Sequence, residues 1–101
     1  MNENKVLKLK NGEEVNLSLT IKGLSNLQST NNPLYKSVCK VIINGTEDII
    51  EMLKVLYASY LIAYENKNEC YSFEEFNSLL PDNISKLYYL TAQLVYPKEE
   101  Q

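Results

Sequence analysis

The sequence contains no histidine, no tryptophan and, among its ten basic residues, no arginine. Without histidine, the commonest general base and the commonest transition-metal ligand are both missing. Without arginine, no side chain can grip a phosphate or a base edge through two parallel hydrogen bonds. Ten lysines against thirteen acidic residues, with a pI near 4.9, leave no basic footprint for a nucleic-acid backbone. Cysteine is nearly absent as well. Cys39 and Cys70 stand far apart with no second pair to complete a metal site. Both are expected to be reduced thiols, Cys39 as a small apolar residue on a helix face and Cys70 near a turn. No apolar run reaches the roughly twenty residues of a membrane span. The most hydrophobic stretch, Ile49 to Tyr64, is shorter than that and carries Lys54. The opening Met1-Asn2-Glu3-Asn4-Lys5 is polar and unlike a secretory leader, so a cytoplasmic location is expected. A chain of 101 residues is expected to form one domain, residues 1–97, followed by a polar tail, 98–101. Such a domain buries about two-thirds of its unfolded surface but does not house a deep cleft. Surface binding is therefore expected rather than catalysis, with no cofactor, no metal and neither nucleic acid nor membrane as partner.

What the chain does contain begins with alternation. Leu7 and Leu9 precede an Asn11-Gly12 pair, and Val15, Leu17, Leu19 and Ile21 follow it. This predicts a hairpin over about residues 5–22 with a two-residue primed turn, since Asn and Gly best tolerate positive φ. An isolated hairpin is marginal in water, so its apolar face must lie on helices or join strands of neighbouring chains. Lys22 to Thr30, with Leu24 and Leu27, predicts a short helix weakened by Gly23. Asn31-Asn32-Pro33 reads as a stop and a restart, because Asn caps and Pro suits a first helical turn. The next helix carries Leu34, Val38, Val41 and Ile42 on one face and ends near Asn44-Gly45.

Thr46 is expected to cap the following helix, with Glu47 and Asp48 at the positive end of its dipole, and the helix to run to about Asn66. Ile49, Ile50, Leu53, Leu56, Tyr57, Tyr60, Leu61 and Tyr64 form one broad stripe, with Met52, Val55 and Ile62 off it. Apolar around most of its circumference, this helix needs protein on nearly every side. It is either the pillar of one domain or a pillar shared between subunits. Glu65 to Glu69 reads as a polar loop. Ser72-Phe73-Glu74-Glu75 fits a capping box, with Tyr71 and Phe76 as its hydrophobic staple. Pro81 stops that helix. Asp82 or Asn83 opens the last one, which carries Ile84, Leu87, Tyr88, Leu90, Ala92, Leu94 and Val95. The fold class is thus α+β, mostly helical, with an N-terminal hairpin packed on three to five helices.

Eight tyrosines with no tryptophan suggest half-buried rims. Tyr57, Tyr60 and Tyr64, with Phe73, Phe76 and Tyr88, are the candidate partner-binding residues, either as a core rim or as an interface. Glu74, Glu75 and Asp82 sit where helix starts favour acids, and capping explains them without a site. Lys36, Lys40 and Lys54 read as a solvated face. The last two helices are closely joined, but Ser85 to Thr91 offers a single lysine for a DNA groove.

The hairpin, the helix Leu56-Tyr57-Ala58-Ser59-Tyr60-Leu61-Ile62-Ala63, and Ser72-Phe73-Glu74-Glu75-Phe76 followed by Leu79-Leu80-Pro81-Asp82-Asn83-Ile84 together resemble the tail assembly chaperones of long-tailed bacteriophages and prophages of Gram-positive bacteria. The resemblance is one of layout and runs from about Val6 to Val95. It implies a non-enzymatic protein that acts in the cytoplasm of an infected or lysogenic host and is absent from the mature virion. Its implied partners are the tape measure protein and the tail tube protein, with self-association into a homo-oligomer. The alternative expectation is a small acidic inhibitor or immunity-type protein that neutralises one protein partner.

Overall fold

A computed structural model describes residues 5–64 and 69–96. The first strand, β1 (Lys5–Lys8), pairs antiparallel with β2 (Glu14–Leu17), Leu7 opposite Val15 and Lys5 opposite Leu17. The turn differs from expectation. The Gly12 N–H donates to the Leu9 carbonyl at 2.9 Å and the Leu9 N–H to that of Glu13 at 2.8 Å. Of the Asn11-Gly12 pair only Gly12 takes positive φ, at +90°, while the Asn11 side chain accepts from the Glu13 N–H at 3.0 Å. The connection is therefore a longer turn closed by a glycine bulge. Register explains why. A two-residue turn would set Leu9 opposite Glu14 and Val15 opposite Lys8, dividing the apolar side chains between both faces. With the bulge, Leu7, Leu9, Val15 and Leu17 are all buried together.

Five helices follow among the described residues: α1 (Ile21–Thr30), α2 (Asn32–Asn44), α3 (Ile49–Ala63), α4 (Phe73–Leu79) and α5 (Ile84–Val95). Ile21 does not extend the hairpin. Thr20 accepts the Gly23 N–H at 3.0 Å and starts α1, leaving Ile21 exposed. Gly23 reads as a helix weakness in sequence but is a steric requirement here. A Cβ at this position would collide with Ile62 Cγ2 of α3 and lie 2.9 Å from the Thr20 hydroxyl. Asn31 makes the corner between α1 and α2 by itself. Its N–H donates to the Leu27 carbonyl at 2.7 Å, and its side chain accepts from the Leu34 N–H at 3.3 Å.

Asp48, not Thr46, caps α3, accepting the N–H groups of Ile50 at 2.8 Å and Glu51 at 3.2 Å. Thr46 turns the chain instead. Its hydroxyl accepts the Asp48 N–H at 2.9 Å and donates to Glu51 at 2.7 Å. The helix closes at Ala63 with Tyr64 as its C-cap, short of Asn66. Residues 65–68 of the expected polar loop and the tail 98–101 lie outside the described residues.

The expected stripe on α3 is also revised. Met52, Val55, Leu56, Ala58, Ser59 and Tyr60 are its buried residues, whereas Ile49 and Ile50 are 43% and 50% exposed. Met52, Leu56 and Tyr60 face a cluster built with the hairpin, Phe76 and the α5 leucines. Val55 and Ala58 face a second cluster with Leu27, Leu34, Val38 and Val41. Two layers within one chain therefore sandwich α3. The hairpin reaches it through the Ser18 N–H, which donates to the Ser59 carbonyl at 3.1 Å. Asn83 caps α5, accepting from the Lys86 N–H at 3.2 Å. No helix among the described residues is long and apolar enough to cross a membrane.

Candidate functional site

The candidate residues divide into those that build the core and those that line its openings. Tyr60 is the hub. Its ring stacks on Phe76 at 4.7 Å and on Tyr71 at 6.3 Å, with Tyr57 and Tyr64 at 6.0 and 5.7 Å. Its hydroxyl oxygen accepts the Tyr71 N–H at 2.9 Å, and the Tyr57 hydroxyl donates to the Tyr71 carbonyl at 2.8 Å. Two phenols thus hold the backbone of Tyr71 on both sides, at its N–H and its carbonyl, just before the α4 capping box. There Ser72 accepts the Glu75 N–H at 3.1 Å, while Glu75 accepts that of Ser72 at 2.9 Å. Burial pushes the Tyr60 hydroxyl up to about 12, although the Tyr71 N–H pulls the other way.

At 2% and 0% exposure, Tyr60 and Phe76 are sealed in the core and present no ring to a partner. The rim reading is corrected for this pair. An apolar helix carries no period strong enough to tell an inward ring from an outward one. Tyr64 is half-buried beside Tyr60. Tyr88 braces the corner between α2 and α3, donating to the Glu47 carbonyl at 3.0 Å.

Tyr57 and Phe73 occupy a different place. Their rings meet edge to face at 5.4 Å and line a groove of about 210 Å³ together with Asn31, Pro33, Leu34, Ser37 and Lys54. A second groove, of about 550 Å³, runs between α1 and the end of α3 and is lined by Gly23, Leu27, Leu61, Ile62 and the polar rim Asn26, Ser29, Thr30 and Asn31. Asn31 borders both. Sequence spacing points to Tyr57 and Phe73 but gives no sign that the start of α2 closes over them. Lys54 also departs from expectation. Lys36 is exposed and Lys40 pairs with Glu51 at 3.2 Å, but Lys54 is half-buried against the small groove.

The acids hold no site. Glu75 belongs to the capping box, and Asp82 pairs with Lys10 at 3.2 Å in solvent. No group of three metal-ligating side chains converges among the described residues, and neither cysteine is in a disulfide. What the arrangement offers chemically is apolar contact with one cation beside it. No family model, curated protein or solved structure matches this chain.

Proposed function

We propose that this chain is a non-enzymatic tail assembly chaperone that binds the tape measure protein through apolar contacts and assists tail tube polymerisation in the host cytoplasm. The observation that carries the reading is the pair of apolar grooves meeting at Asn31, lined by Leu61, Ile62, Tyr57 and Phe73. A tape measure protein presents apolar stripes along extended helices. Many copies of a small grooved subunit cover such stripes by multivalency, each contact weak and their sum strong. Ile43, Ile49, Ile50, Tyr89 and Tyr96 add exposed apolar surface around α2, α3 and α5, suited to contacts between copies or with the partner.

The test is co-expression with the long, helix-rich protein encoded immediately downstream, followed by tag capture and light scattering in several hundred millimolar salt. A soluble complex with many copies per long chain is the expected result, because apolar contacts persist where surface charges are screened. Precipitation of the long protein while this chain elutes alone as a monomer or dimer would overturn the reading in favour of an acidic inhibitor.

A further inference from the structure

The small groove is a poor cofactor site and a good anchor. Its volume of about 210 Å³ lies below the roughly 300–1,000 Å³ of small-molecule pockets, and suits one large side chain. Two of its walls are aromatic, the edge-to-face rings of Tyr57 and Phe73, an arrangement that a further ring can extend. Leu34 is 8% exposed at its base, and Asn31 is committed to capping α2, so the groove is framed by residues already fixed by the fold.

Lys54 supplies the asymmetry. Among the described residues it has no ion pair. Glu51, one turn earlier on the same helix, would be its usual neutralising neighbour. That carboxylate is taken: Lys40 holds one oxygen at 3.2 Å and the Thr46 hydroxyl donates to the other at 2.7 Å. A lysine with a half-buried side chain is therefore left beside an apolar hole with no ion pair of its own. A cationic side chain lining an apolar hole favours an opposite charge brought by whatever fills the hole.

We propose that this groove receives an aromatic side chain of a partner protein whose adjoining carboxylate pairs with Lys54. The recognised element is an acidic-aromatic pair on a partner surface, with the ring seated between Leu34, Tyr57 and Phe73. This rests on reading the chain as a binding protein and adds the chemistry of one contact. It does not depend on which long protein carries the pair.

The test is a titration of the isotope-labelled full chain, followed by backbone and methyl NMR, with N-acetylphenylalanine, its uncharged amide and acetate. N-acetylphenylalanine is expected to give saturable shifts at Leu34, Ser37, Tyr57 and Phe73, at about threefold to fivefold lower concentration than the amide, the scale of one part-exposed ion pair. Acetate is expected to leave these resonances unmoved. Lys54→Met should bring acid and amide to equal affinity, and Lys54→Arg should keep the preference. The proposal is overturned by an absence of saturable shifts, by shifts mapping elsewhere, by acetate alone reproducing them, or by a preference that survives Lys54→Met. Because the probe is a free amino-acid derivative, its failure leaves the co-expression result unaffected. A failed co-expression likewise leaves the groove chemistry standing.

Discussion

The two sides of α3 are packed in different ways. Towards the hairpin, α4 and α5, the helix meets large rings fastened by hydrogen bonds. Tyr60 stacks on Phe76, and the Tyr71 backbone is held on both sides by phenols. Towards α1 and α2 the contact is made by Val55, Ala58 and the bare backbone at Gly23, where small size lets the helices approach. The first side is sealed, since Leu7, Leu17, Met52, Leu56 and Phe76 are at most 1% exposed. Both grooves open at the Asn31 corner, the larger between α1 and α3 and the smaller where the start of α2 meets Tyr57 and the α4 residue Phe73. Large aromatic side chains close the centre of one layer. Small ones bring helices together but leave gaps where the helices diverge, and such gaps suit binding.

The contrast is most readily broken by removing the ring at the centre of the sealed side. Phe76→Ala is expected to lower unfolding free energy by about 3–5 kcal/mol in urea titrations. A loss below about 1 kcal/mol would mean that the aromatic layer is not the tighter half. Tyr60→Phe is milder. It keeps the stack but removes the acceptor of the part-buried Tyr71 N–H, for an expected cost of about 1 kcal/mol.

The same residue sets an alkaline limit. Because its folded hydroxyl titrates near 12 against an ordinary 10.0, the unfolded chain loses that proton first. The associated stability is complete below the ordinary value and is lost as pH rises through the folded one. Denaturation series from pH 9 to 12 should show a decline that Tyr60→Phe flattens. An unchanged slope would place the alkaline sensitivity in Tyr57, Tyr71 or Tyr35, whose hydroxyls are also raised, by burial, by the bond to Glu13 and by the bond to Cys39 respectively.

On the other side Gly23→Ala is the sharper probe. Helix propensity favours alanine by about 1 kcal/mol, whereas forcing a methyl against Ile62 costs about 1–3 kcal/mol. A net loss of up to about 2 kcal/mol is expected. Ile62→Ala in the same chain should reverse part of it, with a coupling above about 0.5 kcal/mol. A stabilised Gly23→Ala would show that α1 does not press on α3.

The smallest effect expected is an acid counterpart. The Thr46 hydroxyl, then Lys40, holds Glu51 below its ordinary 4.5. The stability it lends is complete above that value and is lost as pH falls through the depressed one. Thr46→Ala should soften this acid limb in denaturation series below pH 5 while leaving the alkaline limb alone.

Local chemistry was legible in the sequence wherever neighbours along the chain decide it. The Asn31-Asn32-Pro33 break, the Gly45 stop and the Ser72 capping box each need only residues within one turn, and all three are found in place. The cap of α3 was harder to read, because Thr46 and Asp48 are both good capping residues and only the path of the chain selects between them. The hairpin turn was decidable from register, since only the bulged connection keeps Leu7 and Val15 on one face. Tyr57 and Phe73 were legible as candidates by residue type. Their groove was not, because its walls come from helices distant in sequence.

By itself, then, the sequence determined the helices, the ends of most of them, the presence of the hairpin and a composition without histidine or arginine. These follow from backbone preferences, side-chain capping and local hydrophobic period. Only the tertiary structure decided which sides of α3 face which layer, that Tyr60 and Phe76 are sealed in while Tyr57 and Phe73 line a groove, and that Lys54 stands beside that groove without an ion pair of its own. A helix apolar on most of its surface carries no preferred direction of its own. Its orientation is set by the shapes packed around it, and so are the openings they leave.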